Sequence, residues 1–259
     1  MNSLQCFIHK ELESKSLLLM THVVYGYPSV AKSLEIMQLM LDKGVELLEV
    51  QFPFSDPVAD GPVITTACHH ALEQAPKLSQ CLKDLGLLAA NNPQSRVLLM
   101  SYLNPLLQIS AESLANKMQG IAGLIIPDLP IEQAGLMAPL SDHNIAVIWI
   151  ITPDMTEQRI QMVTSQAVGM LYCVSRSGVT GKGEKVSGIQ QYLERARAHT
   201  TIPLGVGFGI NALSDIASMK GHADIAIVGS AFIQAFDNGG MSAVCSKLDE
   251  LSLTGYGCN

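Results

Sequence analysis

No run of basic residues longer than two occurs in this chain. Its 16 Lys and Arg are scattered among 23 acidic residues, for a net charge of −7. A nucleic-acid or anionic-membrane partner needs clustered positive charge, so the charge pattern argues against both. The six cysteines (6, 68, 81, 173, 245 and 258) form no CxxC pair. The opening "MNSLQCFIHKELESK" has no apolar core of a secretory signal, and no stretch approaches 18 consecutive apolar residues. Reduced thiols and a cytoplasmic location are expected. His69 and His70 are adjacent on a predicted helix and face different ways, so no metal site is expected. The first strand ends in "VVYGYPS", without the GxGxxG of a dinucleotide fold.

What the chain does have is alternation. Hydrophobic residues make up 48%, enough for a sizeable core. They gather in short β-rich runs at 17–25, 46–52, 97–103, 123–128, 146–152, 169–175, 203–208 and 224–230. Helical periodicity separates these runs, with Ser29, Ser110, Thr156 and Asn211 as caps and Gly44, Gly120 and Gly221 as stops. Near-continuous apolar strands alternating with amphipathic helices imply a parallel sheet covered by helices. Eight units in about 215 residues predict a closed (β/α)8 TIM barrel of the α/β class. No linker splits residues 1–259, so one domain is expected, with an N-terminal capping helix at about 4–14. The barrel should span about 17–235, and a C-terminal helix should run to about 252.

The stretch "LLEVQFPFSDPVADGP" (47–62) places a carboxylate inside an apolar strand. Strand alternation puts Leu48, Val50 and Phe52 on the helix side and Glu49 in the barrel, near the C-terminal end where such barrels hold their chemistry. Apolar surroundings raise a carboxyl pKa toward the value that suits proton transfer. None of the eight apolar runs contains a basic residue to pair with Glu49, which favours function over a structural ion pair. Asp60 lies on the same rim, where a turn cap and a working carboxylate are both open. Asp56, before Pro57, reads as a turn residue.

Three glycine-bearing segments fall at the ends of strands six, seven and eight: "SRSGVTGKGE", "GVGFGIN" and "IVGSAF". Glycines there let backbone N–H groups approach an anion, and a helix starting at Ser230 adds its positive end. Gly181, Gly209, Gly229 and Ser230 are the expected phosphate contacts. The first segment reads either as a lid, with Arg176, Lys182 and Lys185 near a phosphate, or as an ordinary surface loop.

These words, in this order, resemble the tryptophan synthase alpha chain family. The likeness rests on the 47–62 stretch and on "YLNPLL", "GLIIPDLPIEQ", "SRSGVTG", "GVGFGI" and "VGSAF", and it spans roughly residues 17 to 235. It implies retro-aldol cleavage of indole-3-glycerol phosphate to indole and glyceraldehyde 3-phosphate in L-tryptophan biosynthesis. It also implies Glu49 as the acid/base and Asp60 as the second catalytic carboxylate. Tyr172 would position Glu49 or substrate, or else be a core tyrosine. Thr180 would close toward Asp60, and Phe208 would sit close to the phosphate end and the ring. Ile64, Met100, Tyr102 and Ile150 would line the indole pocket or simply pack. The implied partner is a tryptophan synthase beta chain, in an α2β2 assembly that carries pyridoxal phosphate on the beta chain and no cofactor on this one. The partner surface would come from 53–61, 102–107 and 128–133.

Four positions depart from the family pattern. His22 stands where an apolar residue is usual, as a pocket histidine or a satisfied core one. Gln51 replaces a common glycine on Glu49's own face, where it alters the surroundings of Glu49 or constricts the site. Met170 replaces an inward tyrosine, and Tyr27 an acidic residue associated with partner contacts. Two other functions stand beside the lyase: a different sugar-phosphate barrel, such as a histidine-pathway isomerase or a thiamine-phosphate-forming transferase, and a non-catalytic subunit that stimulates a beta chain.

Overall fold

A computed structural model describes residues 2–174, 189–207, 215–216 and 219–255. Eight parallel strands close into a barrel in sequence order, β1 next to β8. They are β1 Leu18–Val24, β2 Leu47–Gln51, β3 Arg96–Met100, β4 Gly123–Ile125, β5 Ala146–Ile151, β6 Leu171–Val174, β7 Leu204–Gly207 and β8 Ile225–Val228. The expected TIM barrel is the fold, and one strand falls on each apolar run.

The helices are α1 Ser3–Leu12, α2 Val30–Asp42, α3 Pro62–Leu72, α4 Leu78–Asn91, α5 Leu103–Leu106, α6 Ala111–Lys117, α7 Pro139–Asp142, α8 Glu157–Gln166, α9 Ile189–Arg197 and α10 Ser230–Gly255. The last is two helical segments broken at Gly239 and Gly240. Ser29, Ser110 and Thr156 each accept a backbone N–H of the first turn of α2, α6 and α8, satisfying donors a helix leaves open. Gly44, Gly120 and Gly221 adopt φ of 84°, 83° and 83°, a conformation without steric cost only for glycine. Asn211 lies outside the described residues.

Two apolar layers follow from strand alternation. Leu48, Val50 and Phe52 pack outward into the core beneath the helices. Leu18, Met20, Leu47, Leu98, Met100, Ile125, Ile148, Met170, Ile225 and Ile227 fill the barrel, and Leu4, Phe7 and Ile8 of α1 join them as its lower plug. β3 begins one residue earlier than its apolar run, so a basic residue, Arg96, does belong to a strand. Arg96 pairs with Leu47 at the lower end of β2. Its guanidinium lies over the Phe7 ring at 4.3 Å and donates to the carbonyls of Pro93 and Ser95. It is therefore committed at the end of the barrel away from the following loops.

Candidate active site

Two carboxylates three residues apart show what burial does with and without a partner. Glu46, just before β2, is 2% exposed. It accepts from Lys15 Nζ at 2.8 Å and from the Leu19 N–H at 3.1 Å. That is a structural carboxylate. Glu49 is 4% exposed, and its Oε2 has no hydrogen-bond partner among the described residues. Burial, reinforced by the nearby charge of Asp60, pushes the Glu49 carboxyl up to about 8. At neutral pH it holds its proton, as a general acid must.

Asp60 sits in the turn that leads through Gly61, the N-cap of α3, to Pro62 at its start. Its surroundings differ in kind. Gln51 Nε2 donates to its Oδ2 at 2.7 Å and the Tyr102 hydroxyl donates to the same oxygen at 3.0 Å. Burial raises the Asp60 carboxyl to about 6, with those two hydrogen bonds pulling against it. The two carboxyls thus divide at neutral pH into one acid and one anion. Environments that split a pair of carboxyls in this way assign proton-transfer roles.

Tyr102 is fully buried at the N-cap of α5, immediately beyond β3 rather than within it. Its oxygen also accepts the Ala59 N–H at 3.0 Å, and Phe54 stacks on its ring with centroids 5.3 Å apart. This one side chain ties the loop after β2 to the loop after β3. Asp128 continues the bracing by accepting the Leu103 N–H at 2.8 Å. Tyr102→Phe should remove a donor to Asp60 and an acceptor for Ala59. The expected result is a loss of about 1–3 kcal/mol in denaturant unfolding and an acid limb of the pH–rate profile displaced to higher pH.

Tyr172, on β6, joins the barrel-interior cluster that also holds Met100, Tyr102 and Ile150. Its hydroxyl is held well above the usual phenol range, first by burial and then by the charges of Glu49 and Asp60. Gly207 on β7 makes room for the ring: a Cβ there would lie 2.6 Å from the Tyr172 hydroxyl and 2.7 Å from a ring carbon. Gly205 does the same for Met170, whose Cε would lie 2.4 Å from an added Cβ. These glycines serve close packing of the strands' neighbours. Gly207→Ala should therefore displace Tyr172, costing roughly 1–3 kcal/mol of stability and lowering kcat/KM. Paired denaturant melts and initial rates would measure both.

Ile64, on α3, packs with Val24, Ala71 and Ile233. Asp56 is exposed, with the Ser55 hydroxyl on its carboxylate. Gly229 follows β8, and Ser230 begins α10. Thr180, Gly181, Phe208 and Gly209, with the basic residues 176, 182 and 185, lie outside the described residues.

His22 and Gln51, both departures from the family pattern, meet in the fold. His22 Nε2 and Gln51 Oε1 are 2.8 Å apart, which makes a continuous path from His22 through Gln51 to Asp60. Tyr27 donates to Asp237 Oδ1 at 2.7 Å and meets His70 edge-on.

A sequence model of the tryptophan synthase alpha chain matches residues 8–252. The chain belongs to the tryptophan synthase alpha chain family. The alpha chain of Syntrophotalea carbinolica is 40% identical over 245 residues, covering 93% of this chain and 96% of the relative. That of Desulforapulum autotrophicum is 40% identical over 253 residues, covering 96% and 100%. Among solved structures, Mycobacterium tuberculosis tryptophan synthase superposes with a TM-score of 0.90 at 28% identity, covering 99% of both chains. The tryptophan synthase alpha chain of Legionella pneumophila gives 0.85 at 26% identity, covering 98% and 97%. The alpha reaction is a carbon–carbon lyase reaction that cleaves indole-3-glycerol phosphate to indole and glyceraldehyde 3-phosphate in tryptophan biosynthesis. This membership sets aside the isomerase and transferase alternatives.

Proposed function

We propose that this chain, as a single barrel domain, performs the alpha reaction with Glu49 as acid/base and Asp60 as the anion that stabilises the ring. The observation that carries the assignment is the contrast between two buried carboxyls, Glu49 with an unpartnered Oε2 among the described residues and Asp60 accepting from Gln51 and Tyr102. Protonation of indole C3 by Glu49 turns the ring into an electron-poor iminium. The C–C bond then breaks toward the ring and restores its aromaticity. The side-chain hydroxyl gives up its proton as the aldehyde forms, and the Glu49 carboxylate is the base that takes it, so no net proton is consumed. Asp60, facing the ring N–H, offsets the charge that develops there. Tyr172, Met100, Tyr102 and Ile64 are assigned to the indole end in this reading. Gly181, Gly209, Gly229 and Ser230 are assigned to the phosphate, Phe208 to the phosphate end near the ring, and Thr180 to the same site.

Catalysis needs Asp60 ionised and Glu49 protonated. The rate should rise as pH passes about 6 and fall above about 8, a bell whose limbs belong to these two groups. Incubating the purified chain with indole-3-glycerol phosphate, with and without a beta chain, and detecting released indole tests the function itself. No indole under either condition would reject it and leave the non-catalytic subunit.

The partner in this proposal is a tryptophan synthase beta chain carrying pyridoxal phosphate, in an α2β2 assembly; no cofactor is assigned to this chain. Two large apolar side chains stand exposed on the proposed rim, Val58 at 71% and Leu107 at 56%, which supports a docking face there. Among the described residues no helix is long and apolar enough to cross a membrane, and the proposed location is the cytoplasm.

A further inference from the structure

His22 points inward from β1 and is 4% exposed. It stands between the two ends of the proposed site. On one side its Cα partner across the β1–β2 ladder is Glu49. On the other, a Cβ built on Gly229 would lie 3.7 Å from its Nδ1 and 3.6 Å from its own Cβ. The ring therefore lies within van der Waals reach of position 229.

The polarity of the ring follows from its neighbours. An ionised Asp60 only accepts, so the Gln51 amide must present its NH2 there, where Cys68 Sγ also lies 3.4 Å from the same nitrogen. Gln51 Oε1 then faces His22 Nε2, which must carry the hydrogen. Burial holds the imidazole neutral, lowering it to about 4. Nδ1 is left as a bare acceptor, buried and without a hydrogen-bond partner among the described residues. Such an atom costs stability unless something fills it.

We propose that His22 is a substrate-binding residue whose Nδ1 accepts a hydrogen bond from a hydroxyl of the chain linking the indole ring to the phosphate. Its Nε2–H, through Gln51, at the same time holds Asp60 in position. This rests on the lyase reading above, because it takes Gly229 as the phosphate end and Glu49 as the reacting end. His22 between them meets the glycerol portion, the one part of that substrate with hydroxyl donors.

Two measurements test it. In wild-type protein labelled with 15N-histidine, glycerol 3-phosphate should move the Nδ1 resonance of His22 upfield, and propyl phosphate, which lacks hydroxyls, should not. His22→Gln keeps a donor toward Gln51 but loses the Nδ1 acceptor, whereas His22→Asn retains an acceptor near Nδ1. His22→Gln should lower kcat/KM for indole-3-glycerol phosphate roughly tenfold, while its Kd for hydroxyl-free indole-3-propanol phosphate stays within about twofold of wild type. His22→Asn should keep more of the kcat/KM than His22→Gln does. An Nδ1 resonance unmoved by glycerol 3-phosphate, or an equal loss for both indole ligands in His22→Gln, would overturn the inference and leave the lyase reading standing. Absence of indole release by wild type would instead overturn the reading and the inference together.

Discussion

Glu49→Gln should lower kcat for indole release by roughly 10²–10⁴-fold, the contribution typical of a positioned proton donor. Glutamine keeps the shape and neutrality of the protonated carboxyl but has no acidic hydrogen to give to C3. KM should change little, because the phosphate and the ring are held by other groups. The drop should also be insensitive to a beta chain, since no partner contact replaces the missing proton. Single-turnover measurements separate this from slow product release. A variant that retained even a tenth of the wild-type rate would remove Glu49 from the chemistry.

The same substitution should change how stability depends on pH, with a large amplitude. The Glu49 carboxyl is raised from an ordinary 4.5 to about 8 in the folded chain. Between those values the folded state keeps a proton that the unfolded state has released. Its contribution is fully present below the unfolded value and is lost as pH rises through the folded one. Above about 8 the folded chain must carry a buried, unpaired anion. Glu49→Gln cannot ionise, so it should gain stability over wild type by a few kcal/mol, to order of magnitude, between pH 5 and pH 8.5. Denaturant unfolding of both proteins at the two pH values measures the difference. An offset that stays constant across that range would mean that Glu49 titrates normally.

The barrel was legible because its two periodicities are clean. Leu48, Val50 and Phe52 against Glu49 and Gln51 fix the faces of β2 without any knowledge of the neighbours. Helix starts at Ser29, Ser110 and Thr156 are written in cap chemistry that acts within one turn. The contacts that complete the site are not local. Tyr102 reaches Asp60 from 42 residues away, across α3 and α4, and His22 reaches Gln51 from 29. Such pairs exist only once β1, β2 and β3 are neighbours in register. The Gly207 position illustrates the same limit. A glycine in "GVGFGI" reads as backbone freedom for an anion, and only the fold reveals that it accommodates the Tyr172 ring. Arg96 was missed as a strand residue because a charge at a strand's first position looks like the preceding turn.

Proton transfer to C3 requires a Glu49 that is protonated at neutral pH beside an ionised Asp60. Titrating the wild-type protein labelled with 13C at its glutamate carboxyls, with Glu49→Gln to assign the signal, reads this directly. The Glu49 resonance should titrate near pH 8 and remain protonated at neutrality, while Asp60 is followed in the same way near 6. A Glu49 signal that titrates near the ordinary value of 4.5 would contradict the assignment of the general acid.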